Sequence, residues 1–297
     1  LSEGGFPDKA IDAIDEALPA VIVRSTGPDQ LKRLRQLFCL RGAATQFSKA
    51  ADPEMAVYLL DNPNIAGRFL HALDEADDPA RAIAVLKVLR DFDPRRFNAQ
   101  PEFCIAYAVV WDRPGGHWWV SAPIEDGTML ATYKFYADNG ARLAVNPAQL
   151  PVELAVYVVG TRLNASERDW VLKKYPKFPV PATIYPEIRW TDKPAEALSP
   201  AHGMGGDKEY TLQNIKQMGG FCMEQAYYTE NVCRLFGLPA VFAEGRGARG
   251  GHAWCGVLKF SPRVEWDFSI GRYWFDHYFK GEVLDPTDPD KKITDSA

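Results

Sequence analysis

The stretch Gly219-Gly220-Phe221-Cys222-Met223-Glu224-Gln225-Ala226 decides how the chain is read, together with Gly250-Gly251-His252-Ala253-Trp254 thirty residues on. The glycine pair interrupts an amphipathic helical pattern running from Tyr210 to Met218. A second helix starts at Cys222 and runs to Phe236, where Gly237 and then Pro239 supply a stop. His252 opens a strand that runs to Phe260. A cysteine at a helix start and a histidine at a strand start are the two parts of a thiol nucleophile and its base. Thiolate is the reactive form, and a helix N-terminus and a nearby imidazolium both favour it.

Working outward, Ala240–Ala243 reads as a strand and Gly245 to Gly251 as the loop before the histidine strand. That loop lacks the GxxxxGK[ST] order and leads into a strand rather than a helix, so it is not a phosphate cradle. Arg246 and Arg249 flank the cleft or are solvated. Ser261-Pro262-Arg263 makes a turn, and Val264 to Ile270 returns antiparallel.

Upstream, residues 1–112 read as helical. Leu31, Leu34, Leu37, Phe38 and Leu40 recur at helical spacing after Pro28. Asp52-Pro53, Asn62-Pro63 and Asp78-Pro79 are successive N-caps with proline in the first turn, and Pro101 to Val110 is a further candidate. From about Arg113 the pattern changes. In residues 113–200 the runs Leu130–Tyr136 and Leu154–Val159 are strand candidates. Asn164 or Ser166 caps a helix there, and the proline-rich stretch from Lys177 to Pro200 is a long connection with a strand candidate at Ile184–Trp190. Residues 201–297 form the expected core.

At 297 residues, with 46% hydrophobic and 25% charged residues, the composition is that of a globular protein with room for about two units. A net charge of −5 gives no reason to expect nucleic acid or an anionic membrane as partner, and no apolar run is long enough to span a bilayer. The chain begins at Leu1, which suggests trimming and leaves export open. Five scattered cysteines without a CxxC pair argue against a disulfide framework and against structural zinc. Cys39, Cys104, Cys233 and Cys255 read as core residues. His71, His117, His202 and His277 show no metal-ligand spacing, so neither a metal nor a cofactor is called for.

Gly220-x-Cys222, the segment Cys233-Arg234-Leu235-Phe236-Gly237-Leu238-Pro239-Ala240, and Gly251-His252-Ala253-Trp254 resemble the transglutaminase-like superfamily over Tyr210 to Pro286. The nearest likeness is to bacterial transglutaminase-like proteins of poorly defined activity. The resemblance implies an α+β, papain-like core, a cysteine-bearing helix packed on an antiparallel sheet, behind an N-terminal helical region. It also implies a Cys-His-Asp triad. Cys222 is then the nucleophile, His252 the base, and Asp267 the acid that orients the imidazole. The sequence departs from the superfamily pattern here, because Asp267 directly follows Trp266 while Asp285-Pro286-Thr287 lies eighteen residues later. Asp285 is therefore the alternative acid. A one-residue slip of register would turn Asp267 to the other sheet face and bring in Asp285 or Ser269.

Gln217 is the side-chain candidate for an oxyanion donor beside the Cys222 backbone N–H, and Gly220 and Trp254 are candidates for substrate contact. The expected function is cysteine-dependent acyl transfer on a peptide or protein amide. Water as acceptor would make the chain a peptidase or amidase, and an amine a transglutaminase. The alternative is a catalytically silent domain that binds peptide or cell-surface components.

Overall fold

The computed structural model describes residues 53–294 apart from short stretches at 75–76, 118, 123–125, 248–249, 274–280 and 288–291. The helix expected after Pro28, with Cys39 in it, lies outside the described residues. The architecture is α+β. Of the described residues, 53–113 with Pro151–Glu153 form one compact unit, and Pro114–Leu150 with 154–294 form another.

The first unit is a set of short helices, α1 (Pro53–Asp61), α2 (Pro63–Ala72), α3 (Pro79–Phe92), α4 (Pro94–Ala99) and α5 (Pro101–Val110). Each opens on proline, whose missing N–H would have no intrahelical partner at that position anyway. Asp78 caps α3 by accepting from the N–H groups of Ala80 and Arg81, and Asp93 caps α4 through Arg96. Asn62 precedes α2 but makes no side-chain cap; its amide donates back to the Tyr58 carbonyl at 2.8 Å. From Phe103 to Val110 every residue of α5 is buried, and α2 and α3 pack against it. That accounts for its lack of a polar stripe.

Two strand expectations are corrected. Leu130–Tyr136 lies within α6 (Asp126–Asn139), and Leu154–Val159 within α7 (Val152–Val159). In α6 the buried residues Met129, Tyr133 and Tyr136 recur at helical spacing, and the Tyr136 hydroxyl donates to the Arg234 carbonyl at 2.8 Å. Burial at period 3.6 outweighs the β preference of the aromatic and branched residues. Ile184–Trp190 is not a strand either. It folds as α9 (Pro181–Ile184) and a 3-10 turn at Tyr185–Glu187, and only Trp190 makes a β-bridge, parallel, to Gly220. Between these, α8 (Ala165–Lys174) carries a full capping box of Asn164 and Glu167. The second oxygen of Glu167 accepts from Leu212 N–H at 2.9 Å and so ties α8 to α10 (Leu212–Met218).

Helix α11 (Cys222–Leu235) is buried along most of its length. It packs on a five-stranded antiparallel sheet ordered β5-β4-β3-β6-β7, built from β3 (Ala240–Gly247), β4 (Gly250–Lys259), β5 (Glu265–Ile270), β6 (Gly281–Leu284) and β7 (Lys292–Thr294). A two-stranded ribbon, β1 (Gly115–His117) with β2 (Val120–Ala122), forms a second sheet, and its His117 packs on Phe242 of β3. The expected loop from Gly245 to Gly251 is mostly ladder: β3 and β4 pair as far as Gly247 opposite Gly250. Side chains alternate across β4. Ala253, Cys255 and Val257 join the core with α11, whereas Trp254 joins Val241, Ala243 and Val283 on the opposite face. No helix among the described residues is long and apolar enough to cross a membrane.

Candidate functional site

Cys222 stands at the first position of α11, and the turn before it is built by two close backbone approaches. Gly219 has φ +84° and ψ −170°, a region open in practice only to glycine, and a Cβ there would meet the Arg189 carbonyl oxygen at 2.3 Å. Gly220 donates to the Arg189 carbonyl and accepts from Thr191 N–H, and the Gly219 carbonyl accepts from Leu198 N–H. The glycine pair therefore admits the chain's own 189–198 segment rather than a substrate backbone. Phe221 has no acceptor with which to cap the helix. Glu224 performs its half of the task by accepting from Phe221 N–H at 2.8 Å. The Tyr185 hydroxyl donates to the Ala253 carbonyl at 2.7 Å and lies 3.5 Å from that of Cys222, linking the helix start to β4.

Cys222 is half-buried at the wall of a cavity of about 710 Å³ that His252 also lines. Burial pushes its thiol up, the Glu224 charge adds to that, and the backbone N–H groups of Ala253, Met223 and Cys222 itself oppose it. The cavity floor is charged. Glu244 and Glu282 are cross-strand partners, and the Lys292 ammonium bridges them at 2.6 and 3.1 Å. Arg246 lines the same space.

His252 is buried, and its Nε2–H donates to the Gly271 carbonyl oxygen at 2.6 Å. Its ring stacks on Tyr273 at 4.0 Å and near Trp254 at 6.2 Å, on the sheet face that Trp254 shares. Cys222 and His252 thus meet one cavity from opposite sides of the end of β4, and their side chains form no hydrogen bond with each other.

Asp267 is not placed beside His252. Register sets it across from Val257, five residues and roughly 16 Å along the strand from His252. Its carboxylate pairs with Lys259 Nζ at 2.6 Å and accepts from Ser269 N–H. Those donors hold it below the ordinary carboxylate range although burial raises it. Asp285 follows β6, level with Val241 by register rather than with His252, and turns to Thr287. The orienting contact foreseen for an aspartate is made by the Gly271 carbonyl. Gln217 is exposed on α10 and does not line the cavity, and Trp254 is fully buried beneath the sheet. Cys104, Cys233 and Cys255 are buried core residues. His277 and Arg249 lie outside the described residues.

Other polar residues of the site were not singled out from the sequence. Glu224 is fully buried and also accepts from Ser199 Oγ at 2.8 Å and from the Tyr210 hydroxyl at 3.3 Å. His202, bonded to Ser199 Oγ through Nδ1 at 2.8 Å, lines the cavity next to Phe221. A glutamate three residues after the helix boundary was a readable signal for Glu224. Nothing local marks His202. Further along α11, His117 Nε2 meets Glu230 at 3.0 Å, and Glu230 also holds Arg234 and the Phe242 N–H. Comparison of the chain with family models, with curated proteins and with solved structures finds no match.

Proposed function

We propose that the chain catalyses acyl transfer from a peptide or protein amide through a thioester on Cys222, in a core of the papain and transglutaminase kind. The observation that carries this reading is the position of Cys222: the first residue of a buried helix, at a cavity wall, with backbone N–H groups about its sulfur and His252 on the same cavity. The thiol gives its proton to the His252 imidazole as the sulfur bonds to the amide carbonyl carbon, and the N–H groups of Cys222 and Ala253 are the donors for the oxygen as it gains charge. The C–N bond then breaks and the amine leaves with a proton from an imidazolium. Since Nε2–H of His252 is held by Gly271, its basic lone pair is on Nδ1. Water or an amine releases the acyl group, and no visible feature selects the amine.

A second reading has its own support. The thiol is raised rather than lowered, and the His252 ring lies on the face away from α11. Both fit a peptide-binding domain without turnover. Intact-mass spectrometry after treatment with p-nitrophenyl acetate and with glutamine peptides separates the two. An acyl adduct on wild type that Cys222→Ala lacks supports catalysis. No adduct from any donor, with peptide binding equal in both proteins, supports the binding domain.

A further inference from the structure

We infer that His202 is a second acid–base residue of the Cys222 cavity, oriented by a hydrogen-bonded relay through Ser199 to the buried carboxylate of Glu224. The chemistry rests on the thioester reading above; the relay rests on geometry alone.

Three donors converge on Glu224: Phe221 N–H, the Ser199 hydroxyl and the Tyr210 hydroxyl. In this arrangement Glu224 acts as acceptor throughout, which is the carboxylate's role; burial raises its carboxyl, and the Phe221 N–H and the Ser199 hydroxyl oppose that. Ser199 has a single hydroxyl proton, and it goes to Glu224. The 2.8 Å contact between Ser199 Oγ and His202 Nδ1 then needs its proton from the imidazole, so Nδ1 carries the hydrogen. The lone pair is left on Nε2, which makes no hydrogen bond among the described residues. This is the logic by which a buried acid fixes the tautomer of a base, with one hydroxyl between them.

The frame is rigid where it has to be. Ser199 and Glu224 are fully buried. Ser199 exchanges both backbone hydrogen bonds with Met204, and Leu198 N–H is tied to the Gly219 carbonyl. The imidazole itself is exposed, packs on the Phe221 ring at 4.5 Å and lines the cavity beside Cys222. The charged or titratable groups that share the cavity with it are Cys222, Glu244, Arg246, His252, Glu282 and Lys292. His252 places Nε2–H on Gly271 and serves the thiol through Nδ1, and His202 serves the acceptor. In the release step Nε2 takes a proton from the attacking water or amine as its oxygen or nitrogen bonds to the thioester carbon. The C–S bond breaks, and the imidazolium returns the proton to the Cys222 sulfur.

Two measurements test this on the whole chain. Long-range ¹H–¹⁵N NMR of the histidines should find His202 as the Nδ1–H tautomer, reverting to Nε2–H in Ser199→Ala. An Nε2–H tautomer in wild type, or no change on losing Ser199, overturns the relay. Decay of the acetyl adduct left on Cys222 by p-nitrophenyl acetate should slow by about 10²-fold or more in His202→Gln, far more than its formation. Glu224→Gln, which keeps an acceptor for Phe221 N–H, should slow decay in the same direction. Decay equal to wild type in both variants overturns the catalytic role. Failure of wild type to take any acetyl group instead counts against the thioester reading, and the tautomer then decides the relay by itself.

Discussion

His252 Nε2 and the Gly271 carbonyl oxygen are 2.6 Å apart, and this contact, rather than one with Asp267, sets the direction of the imidazole. A carbonyl orients a ring as a carboxylate does, but it brings no full negative charge to stabilise imidazolium. Asp267→Ala is therefore expected to leave Cys222 acylation within about twofold of wild type, since the residue's partners are Lys259 and Ser269 at an exposed hairpin. Burst kinetics with an activated ester check this, and a large loss would show that Asp267 reaches the site during turnover.

Cys222→Ala should abolish acyl transfer while changing stability by less than about 1 kcal/mol, because the half-buried sulfur faces a cavity rather than filling a packed core. Denaturant unfolding of the two proteins, read beside the mass-spectrometric assay, measures both halves of the prediction.

Burial disfavours the charged form of the Cys222 thiol and so raises its pKa. In the unliganded protein the pH midpoint for alkylation by iodoacetamide is expected above the free-thiol value of about 8.5. A midpoint well below it would mean that thiolate and imidazolium already pair in the resting site.

Gly219→Ala should destabilise by roughly 1–3 kcal/mol through backbone strain alone, with the Arg189 carbonyl contact adding to it. Gly220→Ala brings no positive-φ strain, but its methyl would lie 2.6 Å from Glu224 Cγ and 2.8 Å from Cβ, the root of a buried side chain held by three hydrogen bonds, so it should destabilise as well. Urea midpoints for the two variants measure both losses.

Glu230 is buried among His117, Arg234 and the Phe242 N–H. Burial raises its carboxyl, but the Arg234 guanidinium and His117 outweigh that and hold it below its ordinary value. A lowered carboxyl stabilises the fold above the unfolded pKa of about 4.3 and loses that contribution as pH falls through the folded value. Glu230→Gln should therefore weaken the protein at pH 7 and flatten the fall of stability on acidification. Glu230→Ala is expected to cost about 3–5 kcal/mol, as Arg234, whose side chain is only 12% exposed, loses its carboxylate partner. Thermal melts from pH 7 to 3 test both statements.

The helix start at Cys222, its stop at Gly237, the hairpin about Ser261–Arg263 and the α+β class were legible because each has a local signature in glycine, proline or alternation. Leu130–Tyr136 and Leu154–Val159 were misread because their branched and aromatic residues are spaced for a buried helix, and burial is a property of the neighbours. The face and depth of Asp267 depended on the β4–β5 register, where an irregularity between Cys255 and Val257 shifts the pairing. His202 escaped notice because its place depends on Ser199 meeting a glutamate twenty-five residues away.

The 189–198 segment that clasps Gly219 and Gly220 also limits where the chain can be cut. A fragment starting at residue 201 would keep Cys222, His252 and the sheet, yet would lose Arg189, Thr191 and Leu198, which hold the turn before Cys222 in place. Grafting the Gly219–Ala226 stretch onto another scaffold would fail for the same reason. The smallest transplantable piece includes the proline-rich connection, which acts as the far half of the turn rather than as a tether.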